Sequence, residues 1–563
     1  MNSVLSSLVF CGVFVASTSL LRPVALAQNK EISRLEQQNK LVIGKAYAAS
    51  VRIWGYDTVR KAQNSSQFSG VVVNKDGTIL TVSHAIQPNR TYKVHFPDGR
   101  EALAVALGKM GLPEMQSRPD LGMMKLITKG DWPVAEMGWS YSLKVNQPCI
   151  SISYPETLNQ PLPTVRFGKI NNILNEWGFI DSSCKMEPGD SGGPLFDGFG
   201  RVIGMHSRCE QSENQNYEVP IDLYRKYWTA LTVAEDYKTI PVDTNEIKKD
   251  QLSEKILPAP ILEDLPKAFT DAASLNGSVV SLQSTKNGLI QSACATVFED
   301  MGNTFLVSKS SIVADDVRLA INKQNVNVKI LARDEQRDLV LLSVSAKTGK
   351  PISLKSLRSA DAPGKQDLGT FLISPMNGTR KISVLSSMLF DLPRKFSAGY
   401  IGAFANFMEG KATVRRTAPG GPASEAGIQP GDNILKINGI AITSAEIYNA
   451  EMQKSFPGDT LQIGLDRNGS SQMLEIVAIQ RPPSTHTADK FEGGKSIRLD
   501  DFRNVFAHDA IVEPDECGGP VFDRNGKFYG LNIARFSRTS TIVMPSIQII
   551  QFIKEFTSNY KSE

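Results

Sequence analysis

The sequence predicts a mainly β protein that contains two copies of one barrel-forming domain, with a smaller domain inserted in the second copy. Three observations support this fold class. Short apolar runs alternate with turn residues through the first part of the chain, as in all-β barrels. Three segments of that part recur in altered form further along. The last two recurring segments lie about a hundred residues further apart in the second copy, which leaves room for another domain.

The composition bounds the classes of partner. A chain of 563 residues is long enough for three or four domains, and its net charge of +4 is small for that length. No run rich in Lys and Arg stands out. Nucleic-acid binding requires a basic surface, so we expect no nucleic-acid partner.

Residues 1–27 predict a signal peptide for export. Residues 4–21 are an apolar run, and the small-x-small sequence that signal peptidase accepts follows at residues 25–27. The first basic residue is Arg22, so the usual positive segment before the apolar run is missing. We expect an exported protein, periplasmic or secreted. The alternative is a chain anchored by an uncleaved N-terminal segment.

A helix and then a series of strands are predicted after the signal. Residues 28 to about 48 have helical spacing, with Ile32, Leu35 and Leu41 among charged and amide residues. Short β-runs separated by turn residues then occupy residues 51–54, 70–73 and 78–82.

A serine between glycines, at residues 187–196 (EPGDSGGPLF), predicts a nucleophile loop. Glycines suit such a loop because its backbone must turn N–H groups toward a reacting carbonyl. We expect the amides of Gly189 and Ser191 to form the oxyanion hole. A serine hydroxyl needs a base to remove its proton, so a histidine and a carboxylate are predicted elsewhere in the fold. The chain has five histidines.

Five cysteines follow the signal peptide, and an oxidising compartment permits disulfides between them. An odd number leaves at least one thiol free unless it pairs with another chain. We expect a disulfide between Cys184 and Cys209, because these residues flank the serine loop and the strand after it. The alternative is two buried, unpaired thiols.

His84, Asp120 and Ser191 occur in that order, each at the edge of a predicted strand. The segments TVSHA, PDLGMMKL and GDSGGPLF around them resemble chymotrypsin-like serine proteases, and most of all the HtrA/Deg branch, whose members carry PDZ domains. The resemblance implies that Ser191 attacks the carbonyl, His84 transfers the proton and Asp120 fixes the histidine tautomer. An ordinary surface position for His84 is the alternative.

The same resemblance places His206 in one wall of the pocket for the residue before the cut bond, and the segment around Lys185 near its floor. Neither an acidic nor a plainly apolar floor is evident, so the preference of this pocket stays open. His95 lies in the middle of a strand, where a structural role is expected.

The second copy lacks the expected base. Residues 304–312 resemble residues 78–86 with Ser310 at the histidine position, Asp338 matches the aspartate, and Cys517 replaces the nucleophile. Cysteine alone could serve as a nucleophile, but the triad needs a base. His508 lies in the wrong half of the domain to supply one. We expect a degenerate site, with a cysteine protease as the alternative.

The extra residues of the second copy resemble a bacterial PDZ domain, with a glycine-rich segment at residues 399–404 and the run GPASEAGIQPGDNILKING at residues 421–439. The resemblance implies that a loop of Tyr400, Ile401, Gly402 and Ala403 holds the C-terminal carboxylate of a peptide that adds to a sheet edge. A PDZ domain that only packs between barrels is the alternative.

The resemblance gives a mainly β fold of two chymotrypsin-like double β-barrel domains, the second interrupted by a PDZ domain. The expected domains are an active protease at residues 28–234, a linker at 235–275, a degenerate copy at 276–395 plus 482–563, and the PDZ domain at 396–481.

The expected function is an exported serine endopeptidase that needs no metal or organic cofactor, with roles in protein quality control implied by the resemblance. Its expected partners are protein or peptide substrates, with C-terminal peptides at the PDZ domain. Many HtrA relatives form trimers, so a homo-oligomer is implied by the resemblance alone. The alternative function is a peptide-binding scaffold or chaperone whose protease site is silent.

Overall fold

The computed structural model describes residues 16–563 except 113–118, 243–249, 251, 253–254, 257–274, 287, 322–323, 346–347, 358–361, 377, 483–485 and 558–563. It is mainly β, as predicted, and contains two similar β units, with the region expected to be a PDZ domain inserted in the second. Residues 1–15 of the expected signal peptide lie outside the described residues. Among the helices that are described, none is both long and apolar enough to span a bilayer.

The first unit begins with a helix and a six-stranded barrel. Helix α1 (Ala16–Ala46) is followed by strands that close through pairing of the last two, and their bounds are β1 Ser50–Asp57, β2 Ala62–Val72, β3 Thr78–Thr81, β4 Thr91–His95, β5 Glu101–Gly111 and β6 Asp120–Leu126. His84 lies in a 3-10 turn, Ser83–Ala85, directly after β3.

A second closed barrel completes the first unit. Its strands, in the spatial order β10-β11-β12-β9-β8-β7, are β7 Pro148–Ser153, β8 Thr164–Asn172, β9 Ile180–Ser182, β10 Pro194–Phe196, β11 Val202–Cys209 and β12 Asn216–Pro220. Helices α2 (Ile221–Lys226) and α3 (Trp228–Leu231) follow. The serine loop precedes β10, so Ser191 lies where the two barrels meet.

The residues after the first unit do not form a free linker where they are described. Strand β13 (Asp236–Tyr237) pairs in parallel with β5. The carboxylate of Asp250 forms two hydrogen bonds with the guanidinium of Arg201, at 3.0 and 3.1 Å. A two-residue strand and a single ion pair leave no periodic pattern in the sequence, so neither could be predicted from it. Most of the remaining linker residues, 243–249 and 257–274, lie outside the described residues.

The second unit begins with a larger sheet in the order β18-β17-β14-β15-β16-β20-β19, in which β21 pairs with β15. The strand bounds are β14 Val279–Lys286, β15 Leu289–Asp300, β16 Asn303–Lys309, β17 Arg318–Ile321, β18 Gln324–Val326, β19 Val328–Asp334, β20 Leu339–Val344 and β21 Ile352–Ser353.

The next sheet of the second unit is built from segments on both sides of the PDZ domain. Its order, β23-β22-β32-β33-β34-β31-β24, follows the order of the second barrel of the first unit. The strands before the PDZ domain are β22 Phe371–Pro375, β23 Arg380–Val384 and β24 Phe390–Leu392. Those after it are β31 Phe502–His508, β32 Pro520–Asp523, β33 Phe528–Arg535 and β34 Thr541–Pro545, followed by the last α-helix, Ser546–Thr557.

The PDZ domain is a separate six-stranded sheet in the order β25-β26-β27-β29-β30, with β28 paired to β27. Its elements are β25 Ala403–Met408, β26 Lys411–Thr417, α4 Pro422–Glu425, β27 Asn433–Ile437, β28 Ile440–Ala441, α5 Ala445–Lys454, β29 Thr460–Arg467 and β30 Ser470–Val477. Strand β25 is an edge strand of this sheet.

Helix α1 joins the two units. Ile32 and Leu35 are buried against β22 and β23 of the second unit, as their helical spacing predicts. The prediction for Leu41 is wrong, because 68% of this residue is exposed, and Val42 and Ile43 are buried in its place. They belong to a hydrophobic core with members from both units, so the two units pack against each other through a shared core.

Candidate active site

The structure brings together the side chains of His84, Asp120 and Ser191. The Nδ1 atom of His84 lies 2.8 Å from Oδ2 of Asp120, and its Nε2 atom lies 3.0 Å from Oγ of Ser191. The first two residues lie at the ends of β3 and β6 in the first barrel, whereas the serine precedes β10 of the second. This hydrogen-bonded chain has the geometry that activates a serine hydroxyl.

Asp120 is buried and stays ionised. Burial alone would raise its pKa, but hydrogen bonds from His84, Ser207 and Ser83 outweigh that effect, together with the charge of His84, and hold the pKa well below its usual value. The Oγ atoms of Ser83 and Ser207 both lie 2.6 Å from this carboxylate. The aspartate is therefore fixed in a form that orients Nδ1 of the histidine.

The oxyanion loop is formed at Gly189. Its φ of +97° is in the left-handed region, and a Cβ atom there would lie 2.4 Å from the amide nitrogen of Glu156. The carbonyl of Pro188 accepts a hydrogen bond from that amide at 2.8 Å. Because a trans peptide points its carbonyl and its N–H in opposite directions, the N–H of Gly189 faces the other way. Within the described residues, neither this amide nor that of Ser191 has an acceptor.

A buried ion pair fixes the loop from behind. Asp190, which is fully buried, accepts hydrogen bonds from both terminal nitrogens of Arg166 on β8, at 2.8 and 3.1 Å. Ser153 and the amide of Glu187 donate to the same carboxylate at 2.8 and 2.9 Å. A bidentate pair of this kind is strong and directional. The sequence reasoning missed Arg166, since no motif marks it.

A groove of about 600 Å³ contains the candidate site, and its lining includes His84, Ser191, Gly189, Glu156, Met186, Ser207, Arg208, Cys209 and His486. The wall predicted at His206 is formed instead by the next three residues, 207–209. His206 is fully buried, its Nε2 lies 2.5 Å from Oγ of Ser151, and burial lowers its pKa to about 3. Lys185 points away, with Nζ 3.3 Å from the carbonyl of Asp509.

The predicted disulfide between Cys184 and Cys209 is wrong. Both are free thiols, and the Sγ atom of Cys184 lies 3.8 Å from that of Cys149, well beyond a disulfide bond of about 2.05 Å. The physical reason is that the two side chains have different surroundings: Cys184 is buried in a small core formed by strands β7 to β11, whereas Cys209 lines the groove.

The degenerate site has Ser311, and not Ser310, at the position of His84. The amide and Oγ of Ser311 donate to the carboxylate of Asp338 at 2.7 and 2.9 Å, as the amide and ring of His84 do to Asp120. Ser310 instead accepts a hydrogen bond from Arg333. The prediction slipped by one residue because the short apolar stretch 305–307 matches the strand before His84 in either register, and both 310 and 311 are serines.

Cys517 occupies the place of Ser191, but its loop is different. Gly518 donates to the carbonyl of Asn532 at 2.8 Å, as Gly192 donates to that of His206. Asp515 replaces the glycine at 189 and lies in a 3-10 turn, Pro514–Glu516. The amide of Cys517 donates to Pro514 and so is not available for an oxyanion.

The thiol of Cys517 is fully buried and has no base beside it. Burial raises its pKa, although the charge of Lys309 opposes that shift. The ammonium of Lys309 lies 2.6 Å from Oδ2 of Asp338 and donates to the carbonyl of Arg498 at 2.8 Å. A buried ion pair and a protonated thiol replace the elements of a triad.

The PDZ loop borders a groove of about 280 Å³ between the edge strand β25 and helix α5. The carbonyls of Ile401 and Gly402 accept hydrogen bonds from the domain interior, so the amides of Gly402 and Ala403 point the opposite way. The amide of Tyr400 is already bonded to the carbonyl of Ile479 at 2.9 Å. The predicted four-residue loop is therefore placed at the groove, but one of its amides is engaged elsewhere.

Across the described part of the chain, no group of three or more His, Cys, Asp or Glu residues is arranged to hold a metal ion. The fold and this set of side chains resemble those of the trypsin-like serine peptidases, with a further domain inserted in the second unit.

Comparison with known proteins agrees with that class. Residues 68–205 match the family model of the trypsin-like peptidase domain, and residues 399–477 match that of the PDZ domain. The chain therefore carries both domains, and its resemblance to the HtrA/Deg proteases is confirmed.

Two curated relatives carry the name probable periplasmic serine endoprotease DegP-like. The one from Pseudomonas savastanoi pv. phaseolicola is 26% identical over 414 residues, which cover 71% of this chain and 76% of the relative. The one from Hahella chejuensis is 25% identical over 418 residues, covering 72% and 79%. A solved serine endoprotease from Yersinia pestis aligns with 79% of this chain and 98% of its own, at 17% identity and a TM-score of 0.30.

The Arg166–Asp190 pair gives a test of how the loop is held. We expect Arg166→Met to destabilise the fold by about 3–5 kcal/mol, because it leaves a buried carboxylate unpaired. Peptidase activity should fall with it. The double variant Arg166→Met with Asp190→Asn removes both charges and should recover much of the stability. Chemical denaturation of the two variants measures this, and additive losses would contradict the account.

Proposed function

We propose that the protein is an exported serine endopeptidase that cleaves protein substrates through an acyl-enzyme intermediate. The observation that carries this proposal is the hydrogen-bonded chain from Ser191 through His84 to Asp120, beside a groove with two unpaired amides. The proposal of export is supported by the signal peptide predicted at residues 1–27 and by the periplasmic location in the names of the relatives.

The geometry supports the following steps. A substrate carbonyl lies in the groove over Ser191, whose Oγ attacks it while Nε2 of His84 takes the proton. Negative charge then develops on the carbonyl oxygen, where the amides of Gly189 and Ser191 can donate hydrogen bonds. His84 passes its proton to the leaving amine. Water, activated by the same histidine, releases the acyl group.

The second unit does not catalyse in this proposal. A nucleophile needs a base and an oxyanion needs free donors. At the degenerate site Ser311 replaces the base, and the amide of Cys517 is hydrogen-bonded to Pro514. The carboxylate of Asp338 pairs with the ammonium of Lys309 as well as with Ser311. This unit therefore has a structural or binding role.

The PDZ domain binds extended peptides by their C-terminal ends in this proposal. Strand β25 offers an unpaired edge to which a peptide strand can add, and helix α5 forms the other side of the groove. The amides of Gly402 and Ala403 point away from the domain interior, where the C-terminal carboxylate of a bound peptide can accept their hydrogen bonds. Lys395 and Arg481 line the same groove and supply positive charge.

Labelling with an alkyl fluorophosphonate tests the proposed activity. We expect the wild-type protein and Cys517→Ala to be labelled equally, and Ser191→Ala not to be labelled, because only Ser191 is activated. Hydrolysis of fluorescein-labelled casein should fall by on the order of a millionfold in Ser191→Ala. A wild-type protein that is neither labelled nor active would contradict the proposal and favour a peptide-binding scaffold.

Peptide binding by the PDZ domain is tested with two matched glycine variants. Gly402 and Gly410 both have positive φ, at +77° and +74°, but only Gly402 borders the groove. We expect Gly402→Ala to weaken binding of peptides with a free carboxylate by on the order of tenfold, since it shifts the donor amides. Gly410→Ala should bind normally. Equal binding of amidated peptides, measured by fluorescence anisotropy, would contradict carboxylate recognition.

A further inference from the structure

A polar turn of the second unit is completely buried against the first unit. This turn, residues 536–540, joins β33 to β34, and Ser537, Arg538, Thr539 and Ser540 are each at most 1% exposed. A turn of serine, arginine and threonine is ordinarily found at the surface. Burial of such residues is stable only where each polar group finds a partner. Here Ser537, Thr539 and Ser540 bond one another within the turn, whereas the guanidinium of Arg538 finds its partners across the interface.

Arg538 holds the loop that follows the groove wall. Its guanidinium donates to the carbonyls of Glu210 at 2.5 Å, Gln211 at 3.2 Å and Ser212 at 2.7 Å. These residues come directly after Cys209, which lines the groove with Ser207 and Arg208. The buried guanidinium of Arg538 therefore donates hydrogen bonds to several carbonyls of a single loop, which fixes the conformation of that loop.

The same arginine reaches the floor of the groove through one side chain. It donates to Oδ1 of Asn216 at 3.2 Å, and that oxygen also accepts the amide of Met186 at 3.1 Å. Met186 lines the groove just before the serine loop. Arg538 is thus connected both to the wall and to the floor of the candidate active site.

Two further contacts, one from Arg535 at the end of β33 and one from Ser537 in the turn, link this part of the second unit to the same region. Arg535 forms a buried ion pair with Glu213 of the loop, at 2.9 Å. Ser537 is a hydrogen-bond partner of the buried carboxyl of Glu187, which begins the serine loop and whose pKa is raised by burial. The turn therefore contacts the first unit on both sides of the groove.

We propose that the degenerate barrel is a built-in positioning element for the active barrel, with Arg538 and Arg535 holding loop 210–216 so that the peptide groove is formed. This inference rests on the proposed peptidase function. It gives the degenerate unit a role that requires no catalysis: the turn that extends from its own defunct site orders the corresponding loop of the active copy. Arg538 and Arg535 are positioning residues, since they touch no substrate.

The inference separates two properties of the site. Activation of Ser191 depends on His84 and Asp120, and among the described residues neither of them is hydrogen-bonded to the turn. Recognition of a peptide depends on the wall that loop 210–216 extends. Loss of Arg538 should therefore impair peptide binding more than attack by Ser191 on a small reagent.

The test compares Arg538→Ala with a matched control, Arg524→Ala, in the full chain. Arg524 is also a residue of the second unit, and its guanidinium donates to Oγ of Ser33 on helix α1 at 2.7 Å. Ser33 is far in sequence from the residues that line the groove. We expect Arg538→Ala to lower kcat/KM for fluorescein-labelled casein by on the order of tenfold, mainly through KM. The labelling rate with a small alkyl fluorophosphonate should stay within about twofold of wild type. Arg524→Ala should leave both unchanged.

A second variant guards against a folding defect. Arg538→Lys keeps the buried charge but cannot donate in a fork to several carbonyls, so it should fold and still show the raised KM. If both variants cleave casein like the wild type, or if labelling and cleavage fall in parallel with the thermal unfolding temperature, the inference is wrong. A wild-type protein that is not labelled at all would overturn the proposed function itself.

Discussion

The backbone conformation of Gly189 is the constraint on which the rest of the site depends. Only a residue without Cβ fits there, because the main chain turns with positive φ against the amide of Glu156. In that conformation the N–H groups of Gly189 and Ser191 have no acceptor among the described residues, as the proposed oxyanion hole requires. The second unit has Asp515 at the same place, and its loop forms a 3-10 turn. The amide of Cys517 donates a hydrogen bond to the carbonyl of Pro514 in that turn. The residue at this one backbone position therefore distinguishes the loop in which the amide of the nucleophile has no acceptor from the loop in which that amide is hydrogen-bonded.

Buried charges hold both versions of the loop in place. In the first unit, Arg166 forms an ion pair with Asp190 and so fixes the main chain next to Ser191. In the second, Lys309 forms an ion pair with Asp338, the residue that matches Asp120. A buried carboxylate must have such a partner, since leaving it unpaired is costly. The same fold thus uses one ion pair to support a reactive serine and another to fill a degenerate site.

Much of the site could be predicted because its residues lie in short, selective motifs. His84, Asp120 and Ser191 were found from local sequence, and so was the glycine that shapes the oxyanion loop. Arg166 and Arg538 were missed, because their partners are distant in sequence and no pattern marks them. The slip at Ser310 arose because two serines stand side by side after a short strand, so the sequence did not fix the register. The disulfide was predicted wrongly because proximity in sequence was taken for proximity in space.

A crystal structure of the full chain after reaction with an alkyl fluorophosphonate tests the central claim most directly. The account predicts a phosphonyl group on Ser191, with its oxygen about 2.7–3.1 Å from the amides of Gly189 and Ser191. It also predicts an unmodified Cys517. A structure in which the Pro188 carbonyl points into the site, or in which the serine is unmodified, would contradict it.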